Sequence, residues 1–233
     1  MVEKEMHEPR FKIFCDFDGT VAVKDVGNEL FRAFATPEWE KAVEAWKAGE
    51  LTSKECLERE CAVTTVSREE LKAFCAANSI DSAFHDFAAY CQEKAYPVEI
   101  LSDGMDFYIK EILKREGLAW VPVKANRLVF VDPHHIRPEF PYWEHTCGVC
   151  ANCKGYHLRE ARNGQSVLIY VGDGLSDRCG VLEADIVFAK DELISFCQEN
   201  NLNFIAYQNF ADVLKSLKAL EKQERALPKI RVD

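Results

Sequence analysis

No stretch of the 233-residue chain approaches the roughly 20 consecutive apolar residues that a bilayer-spanning helix needs, so a helical membrane anchor is excluded. The opening Met1-Val2-Glu3-Lys4-Glu5-Met6-His7 has no apolar signal core, and a cytoplasmic location is the expectation that follows. Basic residues are scarce: 29 Lys and Arg against 39 Asp and Glu leave a formal net charge of -10. Nucleic acids and anionic membranes require clustered Lys and Arg, so neither is expected as a partner. Internal repeats and low-complexity linkers are missing as well. What remains is a globular balance, 48% apolar and 29% charged, with enough length for one ordinary core and a small accessory unit. Ten cysteines without a signal core read as reduced core thiols, one cluster excepted.

Two carboxylates stand at the end of the first apolar run. Phe11-Lys12-Ile13-Phe14-Cys15 reads as a buried strand, and Asp16-Phe17-Asp18-Gly19-Thr20 follows it directly. Residues two apart on a strand face the same way, so Asp16 and Asp18 converge while Phe17 turns into the core and Gly19 lets the chain break away. Like charges this close repel unless a divalent cation sits between them or one carboxyl keeps its proton. The first condition serves phosphate binding and the second serves a general acid. Taken alone, the segment also reads as an exposed Asp-rich turn.

Matching pieces recur down the chain. Val98-Glu99-Ile100-Leu101 reads as a second strand followed by Ser102-Asp103-Gly104, a hydroxyl on flexible backbone that can cradle phosphate. Lys154 precedes a helical stretch from Tyr156 to Arg162, and a lone lysine there is ordinarily a solvated charge. Ser166 to Val171 is a clear strand running into Gly172-Asp173-Gly174-Leu175-Ser176-Asp177. Asp177 suits the cap of the next helix, whereas Asp173, flanked by glycines after an apolar strand, is harder to explain as structure.

Between these pieces, helical periodicity replaces strand signal. Asn28 to Phe34, Pro37 to Lys47, Ser53 to Cys61, Ser67 to Ala77 and Asp81 to Lys94 carry apolar residues three and four apart, with Ser53, Ser67 and Asp81 as N-caps. The expected architecture is α/β: a Rossmann-like parallel sheet sandwiched by helices, built from residues 1–21 and 86–233, with a small helical cap domain of residues 22–85 over the first acidic loop. Asp25, Asn28, Phe31 and Trp39 are the candidates to face a pocket, against the reading of Phe31 and Trp39 as cap core. Met105 to Glu116 reads as an amphipathic helix. Trp120 to Val123, Arg127 to Val131, Ile186 to Ala189 and Asn203 to Tyr207 read as strands, and Phe210 to Leu220 as a closing helix before a mixed tail from Ala226 to Asp233.

A second unusual feature is Cys147-Gly148-Val149-Cys150-Ala151-Asn152-Cys153, immediately before Lys154. With His145 before it and His157 after it, the C-x₂-C-x₂-C spacing could supply a tetrahedral Zn²⁺, and Cys179 or Cys197 could approach in the fold. A reducible disulfide and a cysteine-rich packed loop are the alternatives. A bound metal there would be structural, fixing the loop that delivers Lys154.

In order, DFDGT, a Ser at a strand end, a Lys and GDGLSD resemble the four-motif signature of the haloacid-dehalogenase-like phosphohydrolases, over residues 11 to about 207. The resemblance implies that Asp16 is the nucleophile and that Asp18 is the acid for the leaving oxygen and then the base for water. It implies that Ser102, Asp103, Gly104 and Lys154 surround the phosphate, and that Mg²⁺ is bound by Asp16, the Asp18 carbonyl and Asp173, with Asp177 supporting. The physics agrees: a carboxylate attacking an anionic phosphate needs cations to offset charge, and an aspartyl-phosphate divides one difficult step into two. The helical cap, Ala125-Asn126-Arg127-Leu128 and Tyr207-Gln208-Asn209-Phe210 look like the phosphoserine-phosphatase-like branch. More narrowly, they are similar to the 2-hydroxy-3-keto-5-methylthiopentenyl-1-phosphate phosphatases of methionine salvage, which also carry a cysteine-rich stretch before that Lys. Asp103 stands where the branch commonly has Gly, and Asp25 where phosphoserine phosphatases usually have a Glu. Both departures disfavour phosphoserine. The implied function is Mg²⁺-dependent hydrolysis of a small phosphorylated metabolite. A phosphoserine phosphatase or a phosphotransferase of the same fold is the alternative, and a non-catalytic Mg²⁺-binding regulatory protein is the alternative of another class.

Overall fold

Phe11, Ile13 and Cys15 of β1 (Phe11–Cys15) pack into one apolar cluster and Phe14 into another on the opposite face. A strand buried on both faces must be covered by helices on both sides, which is the signature of a parallel sheet. The computed structural model describes residues 8–225, so the opening segment Met1 to His7 and the tail Ala226 to Asp233 lie outside the described residues. Its sheet contains β1, β2 (Val98–Met105), β3 (Val123–Phe130), β4 (Ile136–Glu139), β5 (Val167–Gly172), β6 (Ile186–Ala189) and β7 (Ile205–Ala206), in the order β4-β3-β2-β1-β5-β6-β7. All pairings are parallel except that of β3 with β4. β1 lies at the centre, with Ile13 opposite Val98 of β2 and Ile169 of β5.

Strand order reverses at β1: β2 and β3 continue to one side, β5 to β7 to the other. At such a reversal the connections leave in opposite directions and open a crevice beyond the carboxyl ends of the strands. Four helices, α1 (Val26–Phe34), α2 (Glu38–Lys47), α3 (Ser53–Ala62) and α4 (Arg68–Ala77), follow β1 on the way to β2, and residues of the first three line the cavity at that crevice. They are followed by α5 (Phe84–Glu93), α6 (Asp106–Arg115), α7 (Lys154–Ala161), α8 (Arg178–Val181), α9 (Asp191–Glu199) and α10 (Phe210–Arg225). One face of the sheet packs on α5, α6 and α10, where the rings of Phe84 and Phe210 meet at 4.7 Å. The other packs on Leu158 of α7, Val181 of α8 and Leu193 of α9. The first cluster continues into α1 and α4 through Val26, Leu30 and Leu71, whereas α2 and α3 share a small cluster of Ala42, Leu51 and Cys56.

Several local expectations are corrected. The cap of α3 is Thr52, not Ser53: its hydroxyl accepts from Glu55 N while the Glu55 carboxylate reaches back, a reciprocal pair that Ser67 and Glu70 repeat on α4. Asp81 does not cap α5, which begins at Phe84; its carboxylate accepts instead from Ala83 N and from Phe210 N at 2.7 Å, tying α5 to α10. Trp120 is 43% exposed in a turn, and a single β3 replaces the two strands expected between Trp120 and Val131. β4 escapes sequence reading because Pro138 interrupts it, as an edge position allows. α9 was also unforeseen, although Leu193 and Cys197, four apart and buried, carry its signal.

Candidate active site

Asp16 leaves the end of β1 with 4% of its surface exposed, and its backbone N–H donates to Val171 O of β5 at 2.9 Å. Asp18 lines the same cavity, and Gly19 after it takes a left-handed φ of 72°, where a Cβ would also lie 2.4 Å from an Asp173 oxygen. Lys154, the first residue of α7, is completely buried. Its ammonium contacts Asp16 Oδ1 at 2.7 Å, Asp177 Oδ1 at 2.5 Å and Ser176 Oγ at 2.8 Å. Burial alone would push this ammonium down, but the charges of Asp16 and Asp177 outweigh it and hold Lys154 protonated well above the usual lysine range.

The four aspartates are handled differently. Burial, then the charge of Asp177, pushes Asp16 up, against the pull of Lys154. Burial and the charge of Asp177 push Asp173 up to about 7, opposed by the Thr20 hydroxyl, which donates to its Oδ1 at 2.7 Å. Asp177 is fully engaged: Oδ1 accepts from Lys154 and Tyr170 OH, and Oδ2 from the N–H groups of Asp173 and Gly174. Asp18 touches no cation. Its Oδ1 accepts from Val26 N (2.9 Å) and Gly27 N (3.2 Å) at the start of α1, and its Oδ2 from Tyr108 OH (2.7 Å) and Ser102 Oγ (3.4 Å). Burial, then the charge of Asp25, pushes Asp18 up to about 7.

Ser102, Asp103 and Gly104 lie within β2, whose pairing with β3 is irregular between Leu101 and Met105, so the expected turn is a bulged strand end. Gly104 N donates to Ser102 Oγ at 2.9 Å, and a Cβ at Gly104 would fall 1.9 Å from Tyr108 OH. The Asp103 carboxylate accepts from Asn152 N at 2.6 Å and from the Ser53 hydroxyl, and burial pushes it up while the charge of Lys154 pulls it down. Asn152 is itself wholly buried, donating to Ser102 O and Lys124 O.

A cavity of about 400 Å³ opens over these groups, lined from α1, α2, α3 and the residue before α1 by Asn28, Phe31, Trp46, Leu57, Glu60 and Asp25. Asp25 caps α1 by accepting from Asn28 N at 2.8 Å, so the pair is fixed at the rim. Trp39 packs behind Phe31, ring centroids 6.4 Å apart, and does not line the cavity. Burial pushes Glu60 up to about 8. Tyr108, Asn152 and Glu60 were not singled out from sequence, and no local spacing marks them. The cysteine segment also differs from expectation. The Sγ atoms of Cys147, Cys150, Cys153 and Cys179 gather, while His157 gives Nε2 to Asn152 Oδ1 and His145 stacks on Tyr156. Cys197 is buried in the core beneath α9.

Asp16, Asp173 and Asp177 bring carboxylate oxygens within 4.8 Å of one another. These three share one buried ammonium, that of Lys154, so the negative excess and the hard oxygen donors both fit a divalent cation such as Mg²⁺.

Carboxylates, a buried ammonium and a cavity over them are the features that phosphate hydrolysis uses, and residues 13–180 match the family model of the haloacid dehalogenase-like hydrolases; the chain belongs to that family. Among individual proteins it is similar to the 2-hydroxy-3-keto-5-methylthiopentenyl-1-phosphate phosphatase of Bacillus velezensis, 30% identical over 93% of this chain and 94% of the relative. A protein of the same name from Bacillus cereus is 28% identical over 90% of this chain and 96% of the relative. A solved phospho-aspartyl intermediate analogue of phosphoserine phosphatase superimposes with a TM-score of 0.69 at 19% identity, covering 90% of this chain and 99% of that one. At that identity the likeness is one of fold.

Proposed function

We propose that the chain is a Mg²⁺-dependent phosphatase that hydrolyses a small phosphomonoester through an aspartyl-phosphate on Asp16. The observation that carries this reading is the contrast between the first two carboxylates. Burial and the charge of Asp177 push Asp16 up, and the Lys154 ammonium against it, joined by Mg²⁺ when bound, would favour the anion a nucleophile must be; Asp18, held by neutral donors and pushed up to about 7, retains a proton near neutrality. Two neighbouring carboxyl groups whose environments separate them in this way divide nucleophile from acid.

A carboxylate oxygen of Asp16 attacks phosphorus, the bond from phosphorus to the leaving oxygen breaks, and Asp18 gives that oxygen its proton. Asp18, now ionised, takes a proton from water, whose oxygen attacks phosphorus and displaces Asp16. Asp16, the Asp18 carbonyl and Asp173 would hold Mg²⁺, with Asp177 in support; when bound, the ion offsets charge on the phosphoryl oxygens. Ser102 and Lys154 bind those oxygens, the lysine as a buried charge that Asp177 keeps aimed.

The substrate is 2-hydroxy-3-keto-5-methylthiopentenyl-1-phosphate or a close chemical relative. Support comes from the relatives' names and from the cavity wall, where Phe31, Val43, Trp46, Leu57 and Met105 offer an apolar surface to a thioether tail. Phosphoserine would bring an ammonium and a carboxylate to that wall. The reaction is cytoplasmic on this reading, in methionine salvage. Phosphate release from the thiopentenyl phosphate, phosphoserine and p-nitrophenyl phosphate, with and without Mg²⁺, tests it. The first is expected to be turned over most efficiently; equal or faster hydrolysis of phosphoserine would overturn the substrate, and undiminished turnover in EDTA the metal mechanism.

A further inference from the structure

Four sulfur atoms meet behind the lysine. Cys147, Cys150 and Cys153 come from the loop between β4 and α7, Cys179 comes from α8, and their Sγ atoms all lie within 4.8 Å of one another. Cys147 and Cys150 are 3.5 Å apart, Cys147 and Cys179 3.8 Å, and Cys150 and Cys179 3.9 Å. A disulfide requires about 2.05 Å. A tetrahedron with zinc–sulfur bonds of about 2.3 Å has edges of roughly 3.8 Å, which these separations bracket. Thiols that merely fill a core have no reason to converge four at a time on one centre, and this group lies partly at the surface: Cys147 is exposed, Cys150 and Cys179 are half-buried. A cluster of several irons with bridging sulfides spreads its cysteines over different iron atoms and would hold them farther apart than this compact set.

We propose that Cys147, Cys150, Cys153 and Cys179 form a closed, structural zinc site, separate from the carboxylate site and served by neither neighbouring histidine. The loop itself supports this. From Phe140 to Cys153 its regular structure is a single helical turn, Trp143–His145, and Val149 at its tip is 56% exposed. It buries little apolar surface, yet it ends on the most deeply buried lysine of the active site. The N–H of Cys150 points at Cys147 Sγ at 3.5 Å, the kind of donor that stabilises a thiolate ligand. The exposed Cys147 provides the entry path that metal loading requires, and each thiol gives up its proton as it binds.

The site joins the two segments whose side chains must meet. Cys153 directly precedes Lys154, and Cys179 lies two residues beyond Asp177, the partner that aims that lysine. At Gly155 the helices already touch: a Cβ there would come 2.6 Å from the Cys179 carbonyl oxygen. The same loop meets the cap helices, since Val149 O accepts from Ser53 N at 2.9 Å. Zinc at this point fastens α7, α8 and the N-terminus of α3 to one another.

The test does not depend on the substrate. Untagged protein from zinc-supplemented cells, purified under reducing conditions without chelator, is expected to carry one zinc per chain by plasma mass spectrometry. Titration with a mercurial should release that zinc in step with loss of the reactive thiols. Cobalt added to metal-free reduced protein should give the strong visible bands and thiolate charge-transfer absorption of a tetrahedral tetrathiolate. Cys179→Ser should lose the equivalent of zinc, and His157→Ala and His145→Ala should keep it. Zinc-free protein that also gives no cobalt spectrum would overturn the proposal, as would a Cys147–Cys150 disulfide in freshly purified reduced protein, or full zinc retention in Cys179→Ser. Should Cys179→Ser fail to fold, the wild-type metal content and cobalt spectrum still decide.

Discussion

Two groups of donor atoms gather near the junction between α7 and α8. One is the carboxylates of Asp16, Asp173 and Asp177, the other the thiols of Cys147, Cys150, Cys153 and Cys179. Lys154 and Cys153 are neighbours in sequence, yet one belongs to the oxygen group and the other to the sulfur group. Carboxylates are hard donors suited to an ion that keeps waters and exchanges, whereas thiolates are soft donors suited to one that stays. The difference teaches how the fold separates chemistry from support. The oxygen group keeps a negative excess and raised carboxyl groups, which are reactive and costly to fold around; the sulfur group, on the zinc proposal, closes around one ion and stiffens what carries the lysine.

The sharpest way to break this division is to remove one ion and ask whether the other follows. Brief EDTA treatment should abolish phosphate release, Mg²⁺ should restore it, and zinc content should be unchanged throughout; loss of zinc in the same minutes would merge the two sites. Asp16→Asn should be nearly as severe, lowering turnover by more than about a thousandfold while circular dichroism and zinc content stay those of the wild type. Asp18→Asn should slow both steps but allow phosphoenzyme to accumulate with an activated ester, a mass shift visible on the intact protein; its absence alongside residual turnover would leave water activation to another group. Asp173→Ala should raise the Mg²⁺ concentration for half-maximal activity by at least the roughly tenfold typical of losing an outer-shell partner.

Smaller effects sharpen the picture. Tyr108→Phe removes a hydrogen bond that lowers Asp18. The loss should cost about tenfold in turnover, the worth of one hydrogen bond to a charged group, and the limb on which activity falls with rising pH should move to higher pH. An unmoved limb would deny Asp18 the role of acid. Glu60→Gln probes the cap. Burial raises Glu60 from 4.5 to about 8 in the folded chain, so between those values the folded state holds a proton that the unfolded chain has released, and stability falls as pH rises through that window. The variant should match wild type near pH 4.5 and be more stable, on the order of a few kcal/mol, near pH 8. Thermal melts at both pH values check the sign.

The contrast between the two groups also governs what could be read beforehand. Asp16, Asp18 and Asp173 stand out because each follows an apolar run or sits beside a glycine, where a charge is hard to explain as structure; Ser102 stands out as a hydroxyl at a strand end, and Lys154, by itself an ordinary surface charge, only through the order of the motifs. The strands β1, β5 and β6 are legible for the related reason that a strand buried on both faces is apolar throughout. Cys179 could be named only as one candidate of two, because its approach to Cys150 depends on how α8 packs against α7. Tyr108, Asn152 and Glu60 act across the fold through contacts that no period in the sequence encodes. Asp103 stands where the branch commonly has Gly, and no sequence spacing reveals the partners that hold its carboxylate at the strand bulge, Asn152 and Ser53.

The margins of the sheet have a consequence for handling the protein. Edge strands with free backbone groups invite pairing with another chain. Here β7 is two residues long, and β4 carries Pro138, which has no N–H to donate, between Arg137 and Glu139, with Glu139 also paired to Arg127. Neither margin offers a long template for a further strand. Variants that loosen the α7–α8 junction should therefore accumulate as soluble, poorly active chains and not as strand-templated aggregates.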